Sequence, residues 1–240
     1  MKKRLDLLMV ERGLADSREK AQALIMAGDV VVNGVRASKP GQSVSLESRI
    51  EVLARLPYVS RGGLKLAGAV EHFGIRVAGK VCLDTGASTG GFTDFLLQNG
   101  ALRVYAIDVG SGQLDWKLRN DPRVVVRERL NARFLTFDDI GELVDLAVCD
   151  VSFISVTLVV PALVPFLKPK GEMVILVKPQ FEVGKGQVGK GGIVRDPELH
   201  RAACDRVEGA VRQHGFQTSI IESPILGAEG NKEFLLYAHH

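Results

Sequence analysis

The stretch Val81 to Phe92, VCLDTGASTGGF, constrains the fold of this 240-residue chain more than any other. A short apolar run closes on Asp84, a turn rich in Gly, Ser and Thr follows, and Phe92 opens FTDFLLQNG, whose apolar spacing is that of an amphipathic helix. That is a strand, a backbone-exposing loop and a helix N-terminus. Gly86, Gly90 and Gly91 let the chain turn sharply and bring backbone N–H groups near a ligand, which a Cβ would obstruct. Such a loop binds a nucleotide-like group.

From Lys80 onward strands and helices alternate. VCLD, RVYAID, RVVV, LVDLAVCD, GEMVILVK, FQTSIIE and EFLLYA are seven candidate strands, the central ones too uniformly apolar to have a solvated face. The alternation predicts a doubly wound, mostly parallel α/β sheet of the Rossmann-like type, with ligands beyond the carboxyl ends of its strands. Only SPILGAEGNK separates the last two candidates, too short for a crossover helix, so they should pair antiparallel. That closing hairpin is a habit of S-adenosylmethionine (SAM) methyltransferases and not of dehydrogenases. RVYAID ends in Asp108, 22 residues after Gly86, where a carboxylate can accept hydrogen bonds from a ribose diol. Ser88 occupies the middle-glycine position of a G-x-G-x-x-G turn, and Asp84 precedes the turn, where it would repel a pyrophosphate yet suit the ammonium of SAM. On the loop itself SAM is preferred, with a dinucleotide or no ligand as the alternatives.

Residues 1 to 56 form a unit with its own pattern and 62 to 240 a second, joined by a linker at 57 to 61. RLDLLMVERG and SREKAQALIMAG have helical spacing, with Asp16 or Ser17 placed to cap the second helix and Gly28 to end it. DVVVNG then reads as a strand into an Asn33-Gly34 turn and RIEVLA as a second strand. The net charge of +3 resides wholly here: residues 1 to 56 carry 10 Lys and Arg against 7 Asp and Glu, and the remainder is balanced. Such an excess hints at a polyanionic partner, although a solvated surface is the commoner meaning. Cys82, Cys149 and Cys204 lack C-x-x-C spacing and read as buried reduced thiols, which suits the cytoplasm. No apolar run reaches ~18 residues and the N-terminus has no signal-peptide pattern, so neither a membrane span nor a membrane partner is expected.

Four charged residues fall where chemistry could use them. Asp150 ends the fourth strand in CDVSF, Lys178 ends the fifth in LVKPQFE, Lys65 lies on the helix before the first strand, and Glu233 lies beside the last. Solvated strand ends and a simple ion pair are the bland reading. The alternative is a lysine at the mouth of the crevice, with Lys65 as a like charge and Asp150 as a counter-charge, suited to taking a proton from an alcohol. The block (N/D)-P-P-(Y/F/W), which holds an exocyclic amine, is absent; the corresponding position is Asp150-Val-Ser-Phe153, and an alcohol acceptor is favoured. The glycine-rich stretch FEVGKGQVGKGGIVRDP carries Lys185, Lys190 and Arg195, and reads either as a flexible connection or as a lid over RNA. Trp116 is assigned to core packing, and Arg127, Arg129 and Arg133 to solvated surface.

The chain resembles the TlyA family, long described as hemolysins and grouped with FtsJ-type ribosomal RNA 2′-O-methyltransferases. SRGGLKL, DTGASTGGFTD, AIDVGSGQLDWKLR, CDVSFIS, KPQFEVGK and EGNKEF are its signature blocks, spread over nearly the whole length. The N-terminal unit resembles the αL RNA-binding motif of a small-subunit ribosomal protein. The resemblance implies a Lys-Asp-Lys-Glu tetrad at Lys65, Asp150, Lys178 and Glu233, with Glu229 a rival for the last place. It implies Asp84, Gly86, Ser88 and Gly90 around the methionine part of SAM, with Thr89, Gly91 and Phe92 completing the loop, Asp108 on the ribose and Asn131 near the adenine, with no metal. It implies ribosomal RNA or a ribosomal subunit as partner, with Lys3, Arg4, Arg18, Lys20, Arg61, Lys185 and Lys190 as contacts. Separately, a monomer is the expectation. The acceptor would be a cytidine ribose. Members with extended termini tend to act on both subunits, and this chain begins and ends close to its motifs, so large-subunit RNA is the expectation. A non-catalytic RNA-binding assembly factor would not need the tetrad, and a pore-forming hemolysin would need a membrane segment.

Overall fold

The computed structural model describes residues 2–26, 28–52, 57–227 and 230–240, Lys185 in its backbone only. The chain divides into two compact units, Met1–Leu56 and Pro57–His240.

In the first unit β1 (Lys2–Arg4) leads into α1 (Leu5–Glu11), and α2 (Arg18–Met26) follows. Leu5, Leu8 and Met9 on α1 and Ala21 and Ile25 on α2 recur at helical spacing, so each helix buries one stripe, together with Val30, Val44 and Ile50. Ser17 caps α2 by accepting from the Lys20 N–H at 3.2 Å, and Gly28 follows the helix at φ 76°. After β2 (Val30–Val32) the Asn33-Gly34 turn has φ 50° and 82°, both left-handed, and returns the chain into β3 (Val35–Arg36). β4 (Ser43–Ser45) pairs with β1, and β5 (Ile50–Val52) pairs with β2 on the side away from β3. The expected helices, strand and turn are present, and β1, β3 and β4 are additional. Strands of two or three residues offer too few alternations to show a period. The last residues of the expected strand RIEVLA lie outside the described residues.

The second unit opens with α3 (Gly62–Phe73), ended by Gly74 in the left-handed region. Then follow β6 (Val81–Thr85), α4 (Gly91–Gln98), β7 (Arg103–Asp108), α5 (Trp116–Arg119), β8 (Val124–Glu128), α6 (Phe137–Ile140) and β9 (Val144–Cys149). The chain closes with α7 (Val160–Leu163), β10 (Leu167–Val177), α8 (Pro179–Glu182), α9 (Pro197–Arg212), β11 (Gln217–Glu222) and β12 (Phe234–His239). All seven expected strands form one sheet in the order β11-β12-β10-β9-β6-β7-β8, parallel except for β12, which runs antiparallel to both neighbours.

Alternation along the strands builds a core on each face. Leu83, Ile107, Ala147 and Ile175 pack with residues of α7 and α9, while Cys82, Val104, Leu146 and Val174 pack with residues of α3 and α4. The three cysteines are buried and free. The chain proceeds from β6 out to β7 and β8 and returns as β9 on the other side of β6, so the sheet has its switch point between β6 and β9. A crevice opens at the carboxyl ends of two parallel strands that diverge this way. Among the described residues no helix is long and apolar enough to cross a membrane.

Trp116 departs from the expectation of core packing: it is 77% exposed. It begins a four-residue helix, which has no second turn to set a buried face.

Candidate active site at the β6–β9 switch point

Gly86 makes the switch-point crevice possible. Its φ is 82°, and a Cβ there would lie 2.3 Å from the Asp150 carbonyl oxygen, so the loop after β6 lies directly against the end of β9. Beside it is a cavity of about 440 Å³ lined by Thr85, Gly86, Ser88, Asp108, Asn131, Asp150 and Phe153, among others. This size falls within the ~300–1,000 Å³ usual for cofactor sites. A smaller cleft of about 120 Å³ shares Gly86, Ser88 and Asp150 and is otherwise lined by the start of α3, including Lys65, and by the loop leading to α4.

The glycines divide their work differently from the sequence reading. A Cβ at Gly90 (φ 97°) would meet Leu118 and Leu114, and one at Gly91 would meet Ser60 Oγ and the Gly63 nitrogen. Both glycines therefore admit neighbouring protein segments, and Gly90 lines neither cavity. Gly91 and Phe92 nevertheless line the smaller cleft, Phe92 only 3% exposed and packed mostly in the core. Thr89 is exposed and lines the smaller cleft. Ser88, at φ 49°, donates its backbone N–H to Asp108 at 2.8 Å, and Gly110 donates to the other Asp108 oxygen at 2.7 Å. These bonds fix the carboxylate on the cavity wall and leave it capacity for further donors, since two oxygens accept about four hydrogen bonds. Asn131 is also on that wall and accepts from the Arg133 N–H at 3.1 Å.

Asp84 is fully enclosed and lines neither cavity. Its Oδ2 accepts from Thr93 Oγ1 at 2.6 Å, while its Oδ1 and the buried Thr85 Oγ1 have no hydrogen-bond partner among the described residues. Burial pushes the Asp84 carboxyl up to about 7, with the Thr93 hydrogen bond opposing and the negative charge of Asp150 reinforcing. An unfolded aspartate titrates near ~3.9. The native state therefore binds an extra proton between that pH and about 7. Asp84's contribution to stability is full below ~3.9 and is lost as pH rises through about 7. Asp84→Asn should remove this dependence, checked by denaturant midpoints from pH 4 to 8; a wild-type profile unchanged in the variant would contradict the assignment.

The four charged residues singled out in the sequence form two ion pairs around the smaller cleft. Lys65 Nζ meets Glu233 Oε2 at 2.5 Å, with side chains 9% and 2% exposed. Lys178 Nζ meets Asp150 Oδ1 at 2.5 Å and donates a directional hydrogen bond to Ser152 Oγ at 2.8 Å. Lys65 and Asp150 line the cleft, while their partners Glu233 and Lys178 line neither cavity. A Cβ on Gly227 would lie 2.0 Å from Glu233 Oε1, so the carboxylate fits only over a glycine. Glu229 lies outside the described residues.

The predicted RNA-binding residues are mostly engaged within the fold. Arg4 and Arg18 converge on the buried Asp6 at 2.8 and 3.1 Å, Lys3 pairs with Glu11 at 2.6 Å, and Lys20 pairs with Asp16. Arg4 holds the Asp6 carboxyl far below the usual range. Arg61 donates to the Leu226 carbonyl at 2.7 Å and so braces the segment before Glu233. The glycine-rich stretch is anchored at its far end: the buried Val194 donates its N–H to Asn231 at 3.1 Å and accepts from His200 Nε2 at 2.8 Å. Lys190 is exposed on it, while the Lys185 side chain lies outside the described residues.

Phe153, the last residue of the Asp150-Val-Ser-Phe153 block, has a prominence that the block alone does not show. It is 92% exposed at φ 67°, on the wall of the larger cavity, with its ring 5.4 Å from that of Phe181. An aromatic three residues beyond a strand-end acid, with no helical pattern following, was the available signal.

Residues 58–240 match the FtsJ-like methyltransferase family and residues 3–50 match the S4 domain. The 16S/23S rRNA (cytidine-2′-O)-methyltransferase TlyA of Mycobacterium tuberculosis is 52% identical over 98% of this chain and 88% of its own length. The 23S rRNA (cytidine-2′-O)-methyltransferase TlyA of Campylobacter jejuni is 34% identical over 95% and 96%, and Hemolysin A of Brachyspira hyodysenteriae is 45% identical over 98% of each. A solved structure from Streptococcus thermophilus, named after the hemolysins, superposes with a TM-score of 0.77 at 45% identity, covering 99% of this chain and 88% of that one.

Proposed function

The chain belongs to the FtsJ-like methyltransferase family and carries an S4 domain, and from that premise we propose that it transfers the methyl group of SAM to the 2′-hydroxyl of a cytidine in ribosomal RNA. The observation that carries this reading is the pair of ion pairs Lys65–Glu233 and Asp150–Lys178, of which Lys65 and Asp150 line a cleft that shares Gly86, Ser88 and Asp150 with the larger cavity. Both ribosomal RNA methyltransferases named above include 23S RNA among their acceptors, so we favour the large subunit. Purified large and small subunits, each incubated with the protein and labelled SAM, test that preference: label in the large subunit alone is expected, and label confined to the small one would reverse it.

When bound, SAM supplies an electrophilic methyl group. The remaining tasks belong to the chain, and alignment of hydroxyl and methyl can account for up to ~7–11 kcal/mol of barrier in favourable cases. Asp108 and Asn131 on the cavity wall suit the ribose and adenine ends. Gly86 and Ser88 shape the wall between them. Asp84, buried at the end of β6 with an unpartnered Oδ1, is the carboxylate that would suit the ammonium of SAM. At neutral pH that interaction should release a proton from Asp84; titration calorimetry in buffers of different protonation heat would detect it, and Asp84→Asn should abolish it. As the free amine, its own proton having passed to solvent, Lys178 takes the hydroxyl proton while Asp150 orients the hydroxyl. Phe153, exposed at the cavity mouth, offers a face on which an unstacked base can lie, an interaction of about 1–3 kcal/mol.

Lys185 and Lys190 are the phosphate-binding residues we assign to the glycine-rich stretch. Replacing both with alanine should weaken RNA binding and flatten log Kd against log salt by about 1 for each phosphate no longer neutralised. An unchanged slope would remove them from the interface. Arg4, Arg18, Lys3 and Lys20 serve the S4 surface in the same way through the donors their ion pairs leave free.

A further inference from the structure

The proposed methyl transfer needs Asp150, which follows β9, held in register with Lys178, which follows β10, and Ser152 is the second group that Lys178 meets. Lys178 lies close to both, 2.5 Å from Asp150 and 2.8 Å from Ser152, yet all three residues lie at strand ends where no sheet hydrogen bond fixes a side chain. A tie between the two segments stands a few residues further along each. Glu182 ends α8, is 3% exposed, and accepts from Ser155 Oγ at 2.6 Å and from the Val156 N–H at 2.8 Å. Ser155 in turn caps the short helical turn Val156–Leu158 and contacts Thr157 Oγ1 at 2.7 Å. The Glu182 carbonyl accepts from Arg206 of α9 at 2.9 Å, which holds the clasp on the helix layer. Burial pushes the Glu182 carboxyl up, and the bonds from Ser155 and Val156 oppose that.

The geometry points to Glu182 as a positioning residue for methyl transfer: it clasps the segment Asp150–Val156 to the segment Lys178–Glu182 and thereby sets Asp150 and Ser152 against Lys178. Glu182 touches neither cavity wall, so its effect travels through Ser155 and the Val156 amide. A buried carboxylate with two donors from one loop is costly unless both bonds form, which makes the clasp all-or-none. The inference rests on the methyltransferase reading above, and its test separates the two.

The test is steady-state methyl transfer to ribosomal RNA by wild type, Glu182→Ala, Glu182→Gln, Ser155→Ala and the Glu182→Ala/Ser155→Ala double variant, with SAM affinity from calorimetry. Displacement of reacting groups by about 1 Å can cost ~10²-fold. Glu182→Ala is therefore expected to lower kcat at least tenfold while the SAM Kd rises less than threefold and the KM for RNA stays within twofold. Glu182→Gln, which keeps one acceptor, and Ser155→Ala, which removes one donor, should fall between, and the double variant should be no slower than Glu182→Ala. If Glu182→Ala does not fold, Glu182→Gln and Ser155→Ala carry the test. Full kcat in folded Glu182 variants, or losses of kcat and SAM affinity in equal measure, would overturn the inference and leave Glu182 a stability element. No transfer by wild type would instead overturn the functional reading.

Discussion

Lys178→Ala is expected to lose methyl transfer by ~10²–10⁴-fold, the usual worth of a general base, while SAM affinity changes less than about twofold. The first half follows from position: Lys178 Nζ touches both Asp150 and Ser152, and no other lysine or arginine is seen paired with either among the described residues. The second half follows because Lys178 is not part of the wall of the 440 Å³ cavity. Some stability should go with the activity, because the Asp150 Oδ1 that Lys178 meets is buried without a hydrogen bond from any described residue, although the side chain as a whole is 21% exposed. Single-turnover kinetics with saturating SAM, alongside calorimetry, would check both halves. SAM binding that fell in step with activity would place Lys178 against the cofactor instead of at the proton.

Glu233→Ala should act on stability first. The Lys65–Glu233 pair is nearly excluded from water, and removing one partner strands the other as a buried charge, at about 3–5 kcal/mol. For a domain of this size that corresponds to a fall in Tm on the order of 10 °C. Lys65→Ala should do the same. The double variant Lys65→Met/Glu233→Leu should recover most of that stability, because an apolar pair of similar bulk fits where an ion pair sat, yet stay inactive because Lys65 no longer faces the cleft. A double variant as unstable as the singles would mean that packing over Gly227, and not charge, is what the pair provides.

Much of this architecture was legible from runs long enough to show a period. The seven strands of the second unit each carry four or more apolar or alternating residues, and α3, α4 and α9 each end or begin at a residue whose backbone role is readable, such as Gly74 or the Asp196 cap that accepts from Glu198. The antiparallel β12 followed from the shortness of its connection. What escaped was local or relational. The strands β1 and β3 are too brief for periodicity, and Trp116 was misassigned because a four-residue helix has no face.

The candidate site shows the same division. Its four charged residues could be placed by strand ends, but their division into two pairs depends on side-chain reach across 168 residues in one case and 28 in the other. A glycine in a sequence announces missing bulk without naming the neighbour that needs the room, and for Gly90 and Gly91 the neighbours are leucines and the start of α3. Basic residues likewise announce charge without partners: Arg61 braces the chain before Glu233, and Arg4 and Arg18 share one buried carboxylate. Glu182 lies within a recognisable block, yet its two acceptor bonds to residues 155 and 156 exist only once α8 has folded over that loop.

The central claim is transfer of a methyl group to a ribose hydroxyl of cytidine. Incubating the protein with methyl-labelled SAM and ribosomal subunits, digesting the RNA to nucleosides and separating them by mass tests it most directly. The expected result is label in 2′-O-methylcytidine, abolished in Lys178→Ala; label on a base, or none in either subunit, would contradict it.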